Sequence, residues 1–108
     1  MTNLDKAIWL AVKAIADKSN CTKRKVGAII FNTKLNQIVG KGCNLHIDNI
    51  CDCDTTSTAI HAEVNVIKSL KENYPREDLI MFCNHQLCTN CSKVSEKIVR
   101  EIRMRSQH

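Results

Sequence analysis

The sequence predicts an α/β domain in which helices cover a β-sheet. Apolar residues recur at helical spacing near the amino terminus, at Leu4, Ile8 and Ile15. Short apolar runs without that spacing follow at residues 26–31 and 79–83. The order along the chain is helix, hairpin, helix, strand, helix and one ambiguous last segment, and this alternation is typical of a sheet packed against helices.

The first half of the chain is predicted to form one helix and a hairpin. The amphipathic helix spans residues 3–18. Residues 26–31 are an almost unbroken apolar run, as expected for a strand buried on both faces. A polar turn at residues 32–36 leads to a second strand at 37–43, and residues 44–57 are polar and aperiodic, which indicates a loop.

The second half is predicted to contain two helices and one or two strands. A helix capped by Thr58 runs to about Leu70 and is broken by the segment 73–76, which contains the single proline. Residues 79–83 form the third strand and residues 88–99 another helix. The last segment alternates charged and apolar side chains from Glu101 to Arg105, which suits a short edge strand, although a frayed helical extension is an open alternative.

Length and composition are those of one globular domain, residues 1–108. The chain has 108 residues, of which 44% are hydrophobic. No apolar stretch is long enough to cross a bilayer and the amino terminus lacks a secretory h-region, so we expect no membrane partner and a cytoplasmic location. Seven Cys in that setting indicate metal ligands and free thiols instead of disulfides.

The net charge of +5 does not by itself indicate a nucleic-acid partner. The basic residues are scattered apart from two clusters, at 23–25 and 100–105. The four aromatic residues lie elsewhere in the sequence, so a platform for stacking single-stranded nucleic acid lacks its usual parts. We interpret most of the charge as a solvated surface.

Two short motifs carry the chemistry: His61-Ala62-Glu63 and Cys88-Thr89-Asn90-Cys91. They supply one imidazole, two thiolates and a carboxylate. Three protein ligands leave the fourth tetrahedral position of zinc open for water, as in catalytic zinc sites, and Glu63 remains to move protons. A His-x-Glu motif followed by Cys-x-x-Cys is typical of zinc nucleobase deaminases.

This arrangement predicts a hydrolytic reaction. Zinc-bound hydroxide would attack an electron-poor amidine carbon such as C4 of cytosine, while Glu63 passes the water proton to the ring nitrogen and helps ammonia leave. The alternative is a structural zinc clip with Glu63 as a helix-capping carboxylate. We favour the catalytic interpretation because structural sites normally use four protein ligands.

At this level of detail the chain resembles the deoxycytidylate (dCMP) deaminases of the zinc-dependent cytidine deaminase superfamily, close to the bacteriophage and bacterial members. The resemblance covers about residues 4–100 and is carried by four segments, 21–30, 42–44, 61–67 and 82–93. It implies an α-β-α layered fold with a mixed central sheet of three to four strands. It also implies hydrolysis of dCMP to dUMP and ammonia, in the host cytoplasm if the chain is phage-encoded.

The resemblance implies two groups of site residues. The metal group consists of the Zn²⁺ ligands His61, Cys88 and Cys91 and the proton shuttle Glu63. The substrate group consists of Asn44 at the deoxyribose hydroxyl, the Ala62 backbone and Val26 at the base, and Arg24 at the phosphate.

Some phage members carry a second, structural zinc. The candidate ligands here are Cys21, Cys51, Cys53 and His46. We favour free thiols, because Cys-x-Cys is a poor local chelate and an unpaired Cys often serves as a small buried hydrophobe. Cys43 and Cys83 lie in predicted strands and are expected to be core thiols.

The chain also departs from the family pattern. Leu87 stands where the family has Pro, and Cys43 where it has Tyr. The sequence ends at His108, where the family has one or two further strands and a helix that help close the substrate pocket. We expect a homo-oligomer that covers this sheet edge.

Two other functions stay open at this point. One is deamination of a base within nucleic acid, such as tRNA adenosine or cytosine. The other is a catalytically inactive, zinc-stabilised deaminase-like module that acts in assembly.

Overall fold

Three helices and six strands form the described part of the chain, which in this computed structural model comprises residues 3–20, 25–46, 59–60, 62–85 and 89–105. The helices are α1 (Asn3–Ala16), α2 (Ala62–Lys68) and α3 (Thr89–Glu96). The strands are β1 (Gly27–Asn32), β2 (Gln37–Cys43), β3 (Leu45–His46), β4 (Ala59–Ile60), β5 (Leu79–Cys83) and β6 (Glu101–Met104). A 3-10 turn at Arg76–Asp78 precedes β5.

Four of the strands form one mixed sheet in the order β2-β1-β5-β6. The central strand β1 pairs antiparallel with β2 and with β5, while β5 and β6 run parallel. The last segment of the sequence is therefore an edge strand and not a helical extension. β3 and β4 form a separate two-stranded ladder, in which Leu45 pairs with Ile60 and His46 with Ala59.

Two apolar clusters hold the helices on opposite faces of the sheet. Ala28 and Ile30 of β1 pack with Ala62 and Val66 of α2 on one face. The alternate residues of β1, Ile29 and Phe31, pack with α1 on the other face. Every residue of β1 and β5 is buried, as predicted for strands covered on both sides. The predicted α-β-α layered fold with a mixed sheet of three to four strands is confirmed.

The helices are shorter than the sequence pattern indicated. The pattern placed the start of the second helix at Thr58, which lies outside the described residues, but residues 59–60 are strand β4. The helix ends at Lys68, where the Ser69 hydroxyl donates to Val66 O at 2.6 Å and accepts from Lys41 N at 2.9 Å. A hydroxyl that bonds the backbone in this way competes with continuation of the helix.

Tertiary packing gives the second basic cluster the aromatic partners that it lacks in the sequence. The Arg103 guanidinium lies 5.3 Å from the centre of the Phe82 ring, and that of Arg105 lies 5.8 Å from the centre of the Trp9 ring. The two rings meet edge to face at 5.4 Å. The first of these cation–π contacts joins β6 to β5, and the second joins the residue after β6 to α1. In the part of the chain that is described, no helix is both long and apolar enough to span a membrane.

The approach of α2 to the sheet depends on glycine in β2. A Cβ atom added at Gly42 would lie 2.6 Å from Val66 N and 2.8 Å from the Asn65 carbonyl carbon, both of them backbone atoms of α2. At Gly40 the nearest atoms are 3.1 Å away and include the end of the Leu70 side chain. Backbone cannot yield as a side chain does, so Gly42 sets the distance between the two elements.

We expect Gly42→Ala to lower the free energy of unfolding by about 1–3 kcal/mol, as overpacking of a core does. Gly40→Ala is the matched control on the same strand and should cost less, because its nearest contacts, Leu70 Cδ2 and the backbone Val66 O, are both at 3.1 Å and not at 2.6 Å. Thermal unfolding of both variants measures the difference. Equal melting temperatures for the two variants would contradict this account of the helix–sheet contact.

Candidate functional site

The two chemical motifs lie at the starts of α2 and α3. Ala62 is the first residue of α2 and is 1% exposed, and Glu63 is the second. Thr89 is the first residue of α3, and Cys91 is the third. His61 and Cys88 immediately precede these helices and lie outside the described residues, while only the backbone is described for Glu63 and Cys91. Helix amino termini favour anionic groups, including thiolates.

The first turns of α2 lie over the end of β2. Asn65 donates from Nδ2 to the carbonyl oxygen of Cys43 at 2.7 Å. Cys43 is the last residue of β2, so this bond joins the amino-terminal half of the helix to the end of the strand. Together with the close approach at Gly42, it places the start of α2 beside the start of β1.

Asn44 and Val26 form a tight pair at that end of the sheet. The backbone N–H of Asn44 donates to Val26 O at 3.0 Å, and its side-chain Oδ1 accepts from Val26 N at 2.9 Å. The Ser19 hydroxyl donates to Asn44 O at 2.8 Å and connects the pair to the chain after α1. The side chain of Val26 packs in the same apolar cluster as Ala62.

Asn84 forms a similar pair with the next residue of the chain. Its backbone N–H donates to Gly27 O at 3.3 Å, and its Oδ1 accepts from Gly27 N at 2.8 Å. Its Nδ2 also donates to Lys25 O at 3.3 Å. The residue is 8% exposed and follows directly on β5.

Lys25 fixes the end of α1 at the same place. Its ammonium donates to Ser19 O at 3.1 Å and to Asp17 O at 3.4 Å. A cation near the last carbonyls of a helix is favoured by the helix dipole. The start of β1 is thus joined to α1, β2 and β5 by side chains.

The structure brings together three of the residues predicted for the site, namely Val26, Asn44 and Ala62. Other predicted site residues lie outside the described residues: Arg24, His61, Cys88, and the second-zinc candidates Cys21, Cys51 and Cys53. His46 is placed by its backbone in β3. Among the described side chains, no three of His, Cys, Asp and Glu gather where they would hold a metal.

Sequence reasoning did not single out Ser19 or Asn84 as parts of this site. Asn84 stands inside a family-like segment, but the notable residues there are the zinc ligands. The available signal was an Asn directly after an apolar strand, a place where its side chain can replace backbone partners.

A comparison with protein-family models identifies the family of the chain. The family model for the cytidine and deoxycytidylate deaminase zinc-binding region matches residues 1–104. The chain belongs to this family. No curated protein matches the sequence significantly.

Solved structures similar to this deaminase domain include the dCMP deaminase of cyanophage S-TIM5. Its apo form is 25% identical, with 98% of this chain and 86% of that chain covered and a TM-score of 0.79. The same phage protein in complex with dCMP and dUMP gives a TM-score of 0.80 at 24% identity, with 100% and 85% covered. A cytidine deaminase from Burkholderia pseudomallei shares the fold at 19% identity, with a TM-score of 0.63 and 91% and 77% covered.

The donor set of the deaminase domain suits zinc. One imidazole and two thiolates are the ligand types that zinc prefers, and three protein ligands leave one position open. The order of the elements also fits, because His61 comes immediately before the buried start of α2 and Cys91 lies in the first turn of α3.

Two Cys thiols lie in the strands next to β1, at Cys43 in β2 and Cys83 in β5. Burial raises the pKa of the Cys43 thiol, while the charges of Lys18 and Lys25 and a hydrogen bond with its own backbone act in the opposite direction. Cys83 is fully buried. Both strand positions were predicted to hold core thiols, and Cys43 is only partly buried.

Alkylation should separate these two thiols. Because the thiolate is the reactive form and the Cys43 pKa is raised, its alkylation rate should keep rising at a pH where that of a small free thiol has levelled off. Cys83 should stay unmodified until the protein unfolds. Mass spectrometry of the modified peptides measures both rates, and a Cys43 rate that levels off earlier than that of the free thiol would contradict the burial.

Proposed function

We propose that this protein is a zinc-dependent hydrolase that deaminates a cytosine nucleotide, converting dCMP to dUMP and ammonia. The observation that carries the proposal is the placement of its two motifs at the starts of α2 and α3, within a chain of the deaminase family. The similar cyanophage protein is a dCMP deaminase and has been seen in complex with dCMP and dUMP.

The ligands proposed for the zinc are His61, Cys88 and Cys91. When bound, the metal would activate a water molecule for attack on the C4 carbon of the base. The amino terminus of α3 favours the thiolate form of Cys91 in its first turn. We propose one zinc per chain, with Cys21, Cys51, Cys53 and His46 outside any metal site.

Glu63 is the proposed proton carrier. It follows His61 by two residues in the first turn of α2, and we propose that its carboxylate acts on a water molecule at the metal without ligating the metal. The carboxylate would accept a proton from that water, donate it to the ring nitrogen N3 and then assist the departure of ammonia. A Gln at this position could not accept the proton.

The base would lie against the start of β1. Val26 and Ala62 belong to one apolar cluster, which suits the flat face of a pyrimidine, and the Ala62 backbone is proposed to contact the base. Asn44, held by its pair of bonds with Val26, is proposed to meet the deoxyribose hydroxyl, and Arg24 the phosphate. The protein would act as a homo-oligomer in the cytoplasm, or in the host cytoplasm if phage-encoded.

Glu63→Gln should lower kcat for dCMP by at least about 100-fold, because it removes the general acid–base group. The zinc content, measured by elemental analysis, should stay at one per chain. Glu72→Gln is the matched control, since Glu72 is exposed and lies beyond the far end of α2. If the Glu63→Gln protein kept near-normal rates, Glu63 would not be the proton carrier.

Ammonia release from dCMP, dCTP, cytidine and an oligonucleotide, measured side by side, should be fastest with dCMP. A positively charged protein that acted on nucleic acid would instead release ammonia fastest from the oligonucleotide. That outcome would mean that the substrate is a base within a nucleic-acid strand and not a free nucleotide. Absence of turnover on every substrate by the zinc-loaded protein would support the inactive assembly module.

A further inference from the structure

β1 is entered through two consecutive residues, each of which pairs with an asparagine from a different neighbouring strand. Val26 pairs with Asn44 at the end of β2, and Gly27 pairs with Asn84 at the end of β5. In both pairs the asparagine donates its backbone N–H to the carbonyl oxygen of its partner, Val26 or Gly27. It accepts the N–H of the same partner on its side-chain Oδ1. The two pairs use the same pattern on opposite sides of one strand.

This pattern lets the neighbouring strands leave the sheet without leaving unpaired groups in β1. In an ordinary antiparallel pair, both hydrogen bonds of a bonded residue pair run between backbone groups. Here a side-chain oxygen takes the place of the backbone carbonyl, so the asparagine's own carbonyl can turn away. Val26 is hydrogen-bonded on the β2 side and Gly27 on the β5 side. Both neighbouring strands therefore diverge from β1 at the same end of the sheet.

Asn84 makes a further contact through its amide nitrogen. Its Nδ2 donates to Lys25 O, so one side chain holds the residues on both sides of Val26. The residue is buried and connects β5 to the segment that reaches Cys88 four positions later. It therefore lies between the strand start that the base would contact and the chain that carries a proposed zinc ligand.

We propose that Asn84 is a positioning residue for both the pyrimidine and the zinc, an inference that rests on the proposed function. Its amide holds Val26 in place through its hydrogen bonds to Lys25 O and Gly27 N. It also sets the point at which the chain leaves β5 toward Cys88. It touches neither substrate nor metal. Residues that orient ligands in this indirect way typically change metal affinity or activity by about 10- to 100-fold when they are removed.

Asn32 provides a matched control at the opposite end of β1. It is also a buried asparagine, and its Oδ1 accepts two backbone N–H groups, from Lys34 at 3.0 Å and Leu35 at 2.9 Å. Those bonds close the hairpin turn and lie far along the strand from Val26. Asn32→Ala should therefore lower stability by a similar mechanism without disturbing the site.

The experiment compares wild type, Asn84→Ala and Asn32→Ala for melting temperature, zinc affinity by chelator competition, and KM and kcat for dCMP. We expect both variants to melt at lower temperature. Only Asn84→Ala should weaken zinc binding and raise KM, each by about 10-fold. Asn84→Asp keeps an oxygen for Gly27 N–H but loses the donor to Lys25 O, so it should give intermediate values and replaces the Ala variant if that variant does not fold.

Equal zinc affinity and KM, within about twofold, for the Asn84 and Asn32 variants would reduce Asn84 to a structural role and overturn the inference. The zinc measurement separates this outcome from failure of the proposed function. If wild-type protein binds zinc but deaminates no cytosine nucleotide, the proposed function fails. The ratio of zinc affinities between the two variants then decides the role of Asn84 by itself.

Discussion

The fold depends on the complete pairing of β1, which is buried on both faces and hydrogen-bonded along both edges. An unpaired N–H or C=O in such a strand would cost as much as a lost hydrogen bond with no water to replace it. Along most of the strand, β2 and β5 supply the partners. Where those strands end, Asn44 and Asn84 supply them, so satisfaction of the buried backbone extends up to the start of the strand.

That requirement connects the core to the chemistry. The site needs chain segments from several elements to meet at one place. The end of a sheet provides such a place only if its strands can diverge there. The side-chain amides of Asn44 and Asn84 let β2 and β5 diverge from β1 while the N–H groups of Val26 and Gly27 stay hydrogen-bonded. α2 packs over the end of β2, because Gly42 permits contact between the backbones of the two elements and Asn65 is hydrogen-bonded to Cys43. The same few residues thus determine both the packing of α2 and the hydrogen bonding of the buried backbone.

The charged surface is also organised by tertiary contacts. Arg103 lies over Phe82 and forms ion pairs with Asp5 and Glu101, while Arg105 lies over Trp9. These guanidinium groups are engaged in holding the edge strand against α1. Part of the positive charge of the chain therefore serves the attachment of β6.

The sequence by itself determined the fold class, the family and the strands predicted at 26–31 and 79–83, the first of which lies at 27–32, because apolar periodicity and ligand spacing are local properties of a chain. Val26, Asn44 and Ala62, which the family resemblance singled out, lie close together in the structure. Only the tertiary structure decided the helix ends, the β3–β4 ladder and the hydrogen bonds of Asn84. Each of these depends on a partner that is distant in sequence: Lys41 for Ser69, Leu45 for Ile60, and Gly27 for Asn84. Local pattern carries no information on which distant backbone group a side chain will meet.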